Sequence, residues 1–298
     1  MIGIDWGTSS FRAFRIDAAG VVRERRAAPR GILAVEGGRF EAELRRQVGG
    51  WIEAGERHVL MSGMIGSRQG WREVPYVSCP AGLPEIAVGL ASIACEGVEV
   101  RVVPGLACED AAGTPEVMRG EETQILGVAA EIGGAALACL PGSHSKWARL
   151  EEGRIAAFET YFSGEAFAAL RLHTILGRLM REGAGDDPEA FDRGVARAGE
   201  AGHLLHHLFG VRTLGLNGRL GEEAAASYLS GLLIGHEVRA ALPRGGAPRE
   251  ADVQLIGAAA LCELYARAIA AAGARAKVHG EEAAERGLAL IGREVGWD

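Results

Sequence analysis

Three short segments gather residue types that could handle a phosphate. The first is Asp5-Trp6-Gly7-Thr8-Ser9-Ser10, which follows the apolar run that starts at Ile2. A carboxylate at the end of a strand can hold Mg²⁺, usually through water, because that ion takes few carboxylates and keeps its hydration. The backbone N–H groups of Gly7, Thr8, Ser9 and Ser10 can wrap phosphate oxygens. The same residues also make plain hairpin turns. The second segment, Pro141-Gly142-Ser143-His144-Ser145-Lys146, again follows an apolar run and places hydroxyls and cations in one turn. Its alternative is another hairpin, with Lys146 on the surface. In the third, Arg119-Gly120-Glu121-Glu122-Thr123, two carboxylates fall in the first turn of a predicted helix. Spacing alone favours their serving the helix dipole. The functional reading makes one of them a general base aimed at a substrate hydroxyl.

Weaker signals lie nearby. Ser62-Gly63-Met64-Ile65-Gly66-Ser67-Arg68-Gln69-Gly70-Trp71 is a Gly-rich loop in which Arg68 and Trp71 could meet a polar ligand; an ordinary Gly loop is the alternative. Ser163 and Glu165 could cap a helix and line a pocket, or form a bare cap. His203 and His207 stand at i, i+4, a spacing that can bind metal, but they alternate with leucines and read as a partly buried helix. The P-loop, the dinucleotide-binding glycine fingerprint, the G-x-S-x-G elbow and H-E-x-x-H are all absent. Any use of ATP therefore needs a site of another kind.

The elements that must position these segments follow from hydrophobic periodicity. Runs at 2–5, 11–16 and 21–27 predict a β-meander. Phe40, Leu44, Val48, Trp51 and Ile52 share one face of a helix over 40–53. Strands are expected at 58–61, 98–103, 135–140, 251–256 and 276–278. Helices are expected at 123–131, 164–180, 187–198, 222–242, 258–272 and 281–295, and a Pro/Gly loop at 244–250. Interleaved short buried strands and helices point to an α/β protein with two lobes.

Composition narrows the class. Apolar residues make up 48% of 298 and charged residues 24%, so the chain can bury a core. Its 44 glycines, roughly double the usual share, suit many tight turns and close backbone approaches. The net charge of −7, with no basic stripe, argues against a nucleic-acid partner. Five scattered cysteines without a C-x-x-C pair argue against a disulfide framework or zinc site and for a reducing compartment. The first residues lack the basic region of a signal peptide, and no apolar stretch reaches membrane-spanning length. A cytoplasmic protein without a membrane partner is expected.

The order of the three segments resembles the actin, hexokinase and Hsp70 superfamily of ATP-binding folds. The strings IDWGTSSFRAF, SGMIGSRQGW, VPYVSCPAG, VMRGEETQILG, LPGSHSKW and YLSGLLIG resemble, in order, the 2-dehydro-3-deoxygalactonokinase family. The resemblance runs from Ile4 to about Gly280, and VMRGEETQ and PGSHSKW are its most specific parts. It implies a two-lobed actin-like (ribonuclease H-like) α/β fold with a nucleotide cleft between lobes at 1–112 and 113–298. The first lobe carries the first phosphate turn and part of the sugar site. The second carries the catalytic acid, the second phosphate turn and the adenosine pocket. It further implies transfer of phosphate from MgATP to the 6-hydroxyl of 2-dehydro-3-deoxy-D-galactonate. The alternatives are another sugar or sugar acid as acceptor, or a non-catalytic sensor on the same fold.

Carried over by position, Asp5 orients Mg²⁺, and Gly7, Thr8, Ser9 and Ser10 form the first phosphate turn. Gly142, Ser143, His144, Ser145 and Lys146 form the second. Glu121 is preferred to Glu122 as the base, because Gly120-Glu121 stands where related sugar kinases carry Gly-Asp. Gly257, with Gly280, falls where the superfamily binds adenosine. Arg68, Trp71, Arg119, Ser163 and Glu165 are expected near the sugar acid, whose carboxylate Arg68, Arg119 or His144 could hold. The expected assembly is a homodimer.

Overall fold

A computed structural model describes residues 1–132, 134–242 and 252–297. The expected 244–250 loop lies outside them. In chain order the elements are β1 (Ile2–Trp6), β2 (Phe11–Ile16), β3 (Val22–Ala28), α1 (Phe40–Glu53), β4 (His58–Ser62), β5 (Val77–Ser78), α2 (Leu83–Val88), β6 (Ala91–Ile93) and β7 (Glu99–Val102). Then come β8 (Leu106–Glu109), β9 (Pro115–Met118), α3 (Glu121–Ala129), β10 (Ala136–Leu140), β11 (Ser145–Glu151), β12 (Arg154–Tyr161), α4 (Ser163–His173) and α5 (Pro188–Ala198). The chain ends with α6 (Leu204–Leu216), α7 (Ala225–Ala241), β13 (Val253–Ile256), α8 (Ala259–Ala271), β14 (Ala276–His279) and α9 (Ala283–Glu294).

Two compact units emerge. The first holds Met1–Ala136, Ala148–Phe158 and Glu281–Asp298; the second holds Leu137–Trp147 and Glu159–Gly280. These units group residues by proximity, whereas the division at 112 expected above follows chain order and roles.

In the first unit a six-stranded sheet runs β3-β2-β1-β4-β7-β6. The meander β1-β2-β3 is antiparallel, and β1 then pairs β4 in parallel. The register sets Asp5 opposite Arg12 on one side and Ser62 on the other. The apolar face of α1 covers the sheet: Leu44, Val48 and Trp51 pack with Ile2, Ile4, Trp6 and Met61 in one buried cluster. A small sheet, β5-β8-β9, leads into α3. Helices α3 and α9 touch along two glycines. A Cβ at Gly127 would fall 1.9 Å from the Ala283 carbonyl, and one at Gly287 1.9 Å from the Thr123 carbonyl. Only backbone can occupy that seam, so it fixes α3, the helix that carries both candidate acids.

The second unit is built on the order β12-β11-β10-β13-β14, in which β10-β13-β14 is parallel. The chain passes into the first unit within β11 and returns within β12. Helices α5 and α7 also meet at glycines, with a Cβ at Gly231 2.0 Å from the Phe191 carbonyl. The expected helix over 164–180 stops at His173. Thr174 turns extended, its hydroxyl donates to the Leu170 carbonyl, and Gly177 lies against the backbone of Arg171.

Gly287→Ala tests the α3–α9 seam. A methyl pressed into a backbone carbonyl outweighs the ~1 kcal/mol gained in helix propensity. The expected net loss of about 2 kcal/mol is read from chemical unfolding. An unchanged midpoint would contradict the seam.

Candidate functional site

Within the first unit four chain segments converge on Asp5. Its carboxylate, at the end of β1, is held by Arg12 from the neighbouring strand, with Nη2 2.5 Å from Oδ2. The turn that follows closes with the Gly7 N–H on the Ser10 carbonyl at 2.9 Å, and Thr8, Ser9 and Ser10 are exposed. Residues 31–33 brace it from behind, because Ile32 and Leu33 donate to the Gly7 and Thr8 carbonyls. At the end of β4, Gly63 adopts φ 93°, ψ −158°, a conformation essentially reserved for glycine. A Cβ there would lie 2.9 Å from the Trp6 carbonyl and 3.2 Å from Asp5 Oδ1. Gly120, at φ 108°, comes against the other side of Gly63, its own Cβ position 3.2 Å from the Gly63 Cα.

This contact delivers the start of α3 beside Asp5. Both acids fold back on the helix start, where unsatisfied N–H groups attract them. The Glu121 carboxylate accepts the Arg119 N–H at 2.9 Å, and the Glu122 carboxylate the Gly120 N–H at 2.7 Å. Their surroundings differ. Glu121 is partly accessible, whereas Glu122 is fully buried and takes a second bond from the Thr123 hydroxyl at 3.0 Å. That hydroxyl pairs with Ser62 Oγ at 2.7 Å, which ties α3 to the end of β4. Burial, reinforced by the neighbouring Glu121 charge, pushes the Glu122 carboxyl up to about 8.

The two sugar-site candidates from the Gly-rich loop part company with this cluster. Arg68 is exposed and pairs with Glu73 at 3.5 Å, and Trp71 stacks on Phe40 at the edge of the core. Arg119 is buried instead. Its Nη2 donates to the Val74 carbonyl at 2.7 Å and its guanidinium lies 4.4 Å above the Tyr76 ring. Its Nε and Nη1 meet no acceptor among the described residues.

The second unit gathers the other turn. The Ser143 carbonyl accepts the Glu165 N–H at 3.0 Å, and Gly164 packs against the Gly142 carbonyl so closely that a Cβ would sit 2.4 Å away. His144 Nε2 lies 2.6 Å from Glu165 Oε2, and its ring stacks on Phe162. Lys146 is drawn into β11 and donates to the Thr160 hydroxyl at 3.0 Å. Ser145 is buried and bonds Tyr265 at 2.7 Å. At Gly257, which has φ 145°, a Cβ would lie 3.9 Å from the Pro141 carbonyl. Beside the turn opens a cavity of about 660 Å³, walled by Gly142 and Ser143, by Ser163 and Gly164, by Ser227 and Ser230 of α7, and by Leu261, Leu264 and Arg267 of α8. Gly257 and Gly280 do not line it.

Sequence reasoning missed Arg12, the Gly63–Gly120 contact, Tyr265 and Glu237. Arg12 could have been inferred from its place on the strand leaving the first turn. Among the described residues no group of three or more His, Cys, Asp or Glu could hold a metal ion, and no helix is long and apolar enough to cross a membrane. His207 is buried and pairs with His236 at 3.0 Å, and His203 caps α6 through the Leu205 N–H, which accounts for their spacing.

Comparison with known proteins places this architecture. The activator of the 2-hydroxyisocaproyl-CoA dehydratase from Clostridium difficile, solved with ADPNP, superposes with a TM-score of 0.53 at 12% identity, covering 99% of this chain and 95% of that one. The fold is that of the actin-like ATPases and sugar kinases. The profile of the family described as 2-keto-3-deoxy-galactonokinase matches residues 5–291. The 2-dehydro-3-deoxygalactonokinase of Escherichia coli K12 is 33% identical over 297 residues, 99% of this chain and 98% of its own. A candidate enzyme of the same name from Rhizobium meliloti 1021 is 37% identical over 299 residues, covering 98% and 96%. The crystal structure of a candidate 2-dehydro-3-deoxygalactonokinase from Sinorhizobium meliloti matches with a TM-score of 0.90 at 35% identity, over 99% of both chains. The chain belongs to the 2-keto-3-deoxy-galactonokinase family and is a carbohydrate kinase. Use of ATP follows from that membership.

The buried acid makes a prediction about stability. With its carboxyl raised from 4.5 to about 8, folded Glu122 keeps a proton that the unfolded chain releases. Its contribution is complete below pH 4.5 and is lost as pH rises toward 8. Glu122→Gln carries no such titration. Its thermal midpoint is expected to gain steadily on that of the parent protein between pH 5 and pH 9. A difference independent of pH would contradict the buried, protonated acid.

Proposed function

We propose that this chain transfers the γ-phosphoryl group of MgATP to the 6-hydroxyl of 2-dehydro-3-deoxy-D-galactonate. Family membership supports the acceptor. The observation that supports the roles is the convergence of Asp5, Gly63, Gly120 and Glu121 within one unit. In this reading Glu121 orients the acceptor hydroxyl and takes its proton as the oxygen bonds to the γ-phosphorus. The bond from that phosphorus to the bridging oxygen breaks, and ADP leaves with the electron pair. Glu121 suits the task better than Glu122, because its carboxylate is accessible while Glu122 is sealed from solvent.

Phosphoryl transfer depends on positioning and charge neutralisation more than on covalent help. The turn at 142–146 would supply backbone N–H groups to phosphate oxygens, and Lys146 a positive charge; the turn at 7–10 exposes hydroxyls and backbone of the same kind. The cavity beside Gly142 has the size and the mixed apolar and hydroxyl lining suited to a nucleoside. Asp5 fits a magnesium site, because one water-bridged carboxylate suffices for this ion. Its Oδ2 is shared with Arg12, and its Oδ1 faces Gly63, where no side chain intrudes. When bound, the ion would neutralise phosphate charge.

Of the cations proposed for the sugar-acid carboxylate, Arg119 has the strongest support. It adjoins Gly120-Glu121 and carries two buried donors without acceptors among the described residues, an arrangement that costs about 1–3 kcal/mol per group. Gly66 lies against its Nη1, so a carboxylate reaches it only as that loop gives way. Arg68 and His144 already face Glu73 and Glu165.

Coupled ADP release on a panel of sugar acids and sugars tests this reading. The parent protein should turn over 2-dehydro-3-deoxygalactonate fastest. Glu121→Gln should lose about 10²- to 10⁴-fold in kcat, and Glu122→Gln far less. Arg119→Lys should raise KM for the sugar acid and leave KM for ATP unchanged. Loss confined to the Glu122 variant would move the base, and faster turnover of another acceptor would change the substrate.

A further inference from the structure

A buried carboxylate in the second unit belongs to none of the motifs above. Glu237 lies on α7, 3% exposed. Its Oε1 accepts the indole N–H of Trp147 at 2.8 Å, and its Oε2 accepts the hydroxyl of Tyr265 at 2.8 Å. The hydroxyls of Ser163 and Ser145 also favour its charged form. Burial pushes the carboxyl up, and these four donors pull it back toward the charged form.

The partners matter more than the acid. Ser145 and Trp147 are on β11, where the chain leaves the second turn, and Ser163 begins α4, which packs on Gly142. Tyr265 is on α8 and touches both Glu237 and Ser145. Ser163 and Tyr265 also wall the 660 Å³ cavity with Gly142 and Ser143. One carboxylate thus joins four elements around one turn. Polarity constrains it further. Tyr265 donates its hydroxyl proton to Glu237, and its oxygen lies 2.7 Å from Ser145 Oγ. Ser145 Oγ stands between the tyrosine oxygen at 2.7 Å and the Gly142 carbonyl at 3.5 Å, so it links this frame to the turn itself. The turn thus sits on a hydrogen-bonded frame and can meet a ligand with its backbone N–H groups.

We propose that Glu237 is a positioning residue for the nucleotide: through Tyr265, Ser145, Ser163 and Trp147 it fixes the turn at 142–146 in the geometry that receives the phosphates of ATP. This rests on the reading of that turn as a phosphate site, and the experiment separates the two.

Three variants are compared with the parent protein by steady-state kinetics in both substrates and by thermal unfolding. Gly142→Val checks the turn itself. Gly142 lines the cavity and a Cβ there meets nothing within 4 Å, so added bulk enters the ligand's space without a clash inside the fold. Its KM for ATP should rise. Glu237→Gln keeps the shape but must donate at one position, which reverses the hydrogen-bond chain. It should raise KM for ATP about ten- to a hundredfold, leave KM for the sugar acid unchanged, and stay folded. Tyr265→Phe, which removes one oxygen, should shift the same parameter in the same direction and keeps the test open if the Glu237 variant does not fold. If Gly142→Val raises KM for ATP but Tyr265→Phe and any folded Glu237→Gln leave it at the parent value, the positioning role is overturned. A fall in kcat at unchanged KM in both would also overturn it, as the mark of a purely structural role. If Gly142→Val leaves KM for ATP unchanged, the phosphate-turn reading fails, and the proposal with it.

Discussion

The first unit depends on a contact that admits no side chain. Gly63, at the end of β4, and Gly120, at the start of α3, meet backbone to backbone, both at positive φ. On the far side of Gly63 stand the Trp6 carbonyl and Asp5 Oδ1. Three chain segments therefore share a volume where a single methyl has no room. Removal of side chains lets the carboxylate at the end of one strand approach the acids at the start of a helix. The surrounding structure holds the approach in place. The Ser62–Thr123 hydroxyl pair ties the same two elements, and the Gly127 and Gly287 seam presses α3 against α9. Such a backbone-only contact is rigid, because no rotamer can absorb a displacement.

The second unit solves a similar problem by other means. Its turn is fixed by the buried carboxyl of Glu237, which accepts from a tyrosine and a tryptophan. A buried carboxylate is tolerable only when fully hydrogen-bonded, so each donor is constrained as strictly as the acid. One site is thus organised by the absence of side chains and the other by a carboxylate that leaves its neighbours no freedom.

Much of the fold was legible because it rests on local periodicity. The meander at the N-terminus, the apolar face of α1 and the short buried β10 and β13 each carry their signal within a few residues. The sequence Ser-Lys-Trp-Ala-Arg-Leu-Glu of β11 does not, since its buried Lys146 satisfies itself on Thr160 of the next strand. The 164–180 helix was overextended because its break depends on Gly177 fitting against Arg171, a contact invisible to spacing. Among the candidate acids, composition and position were readable but burial was not. Glu121 and Glu122 are adjacent, yet one helical step separates a partly open carboxylate from one with no exposure. Glu237 was the hardest to see. Its only local sign is a charge within an apolar helix, and its partners are 90 and 28 residues away.

The most direct measurement is the turnover of Gly120→Ala with MgATP and 2-dehydro-3-deoxygalactonate, alongside its thermal unfolding. A methyl at this position would lie 3.2 Å from the Gly63 Cα in a conformation alanine rarely adopts, so the start of α3 is expected to shift against Gly63. The protein should still unfold cooperatively, while kcat falls by about a hundredfold, as misplacement by an ångström can cause. A folded variant with the parent kcat would contradict the account.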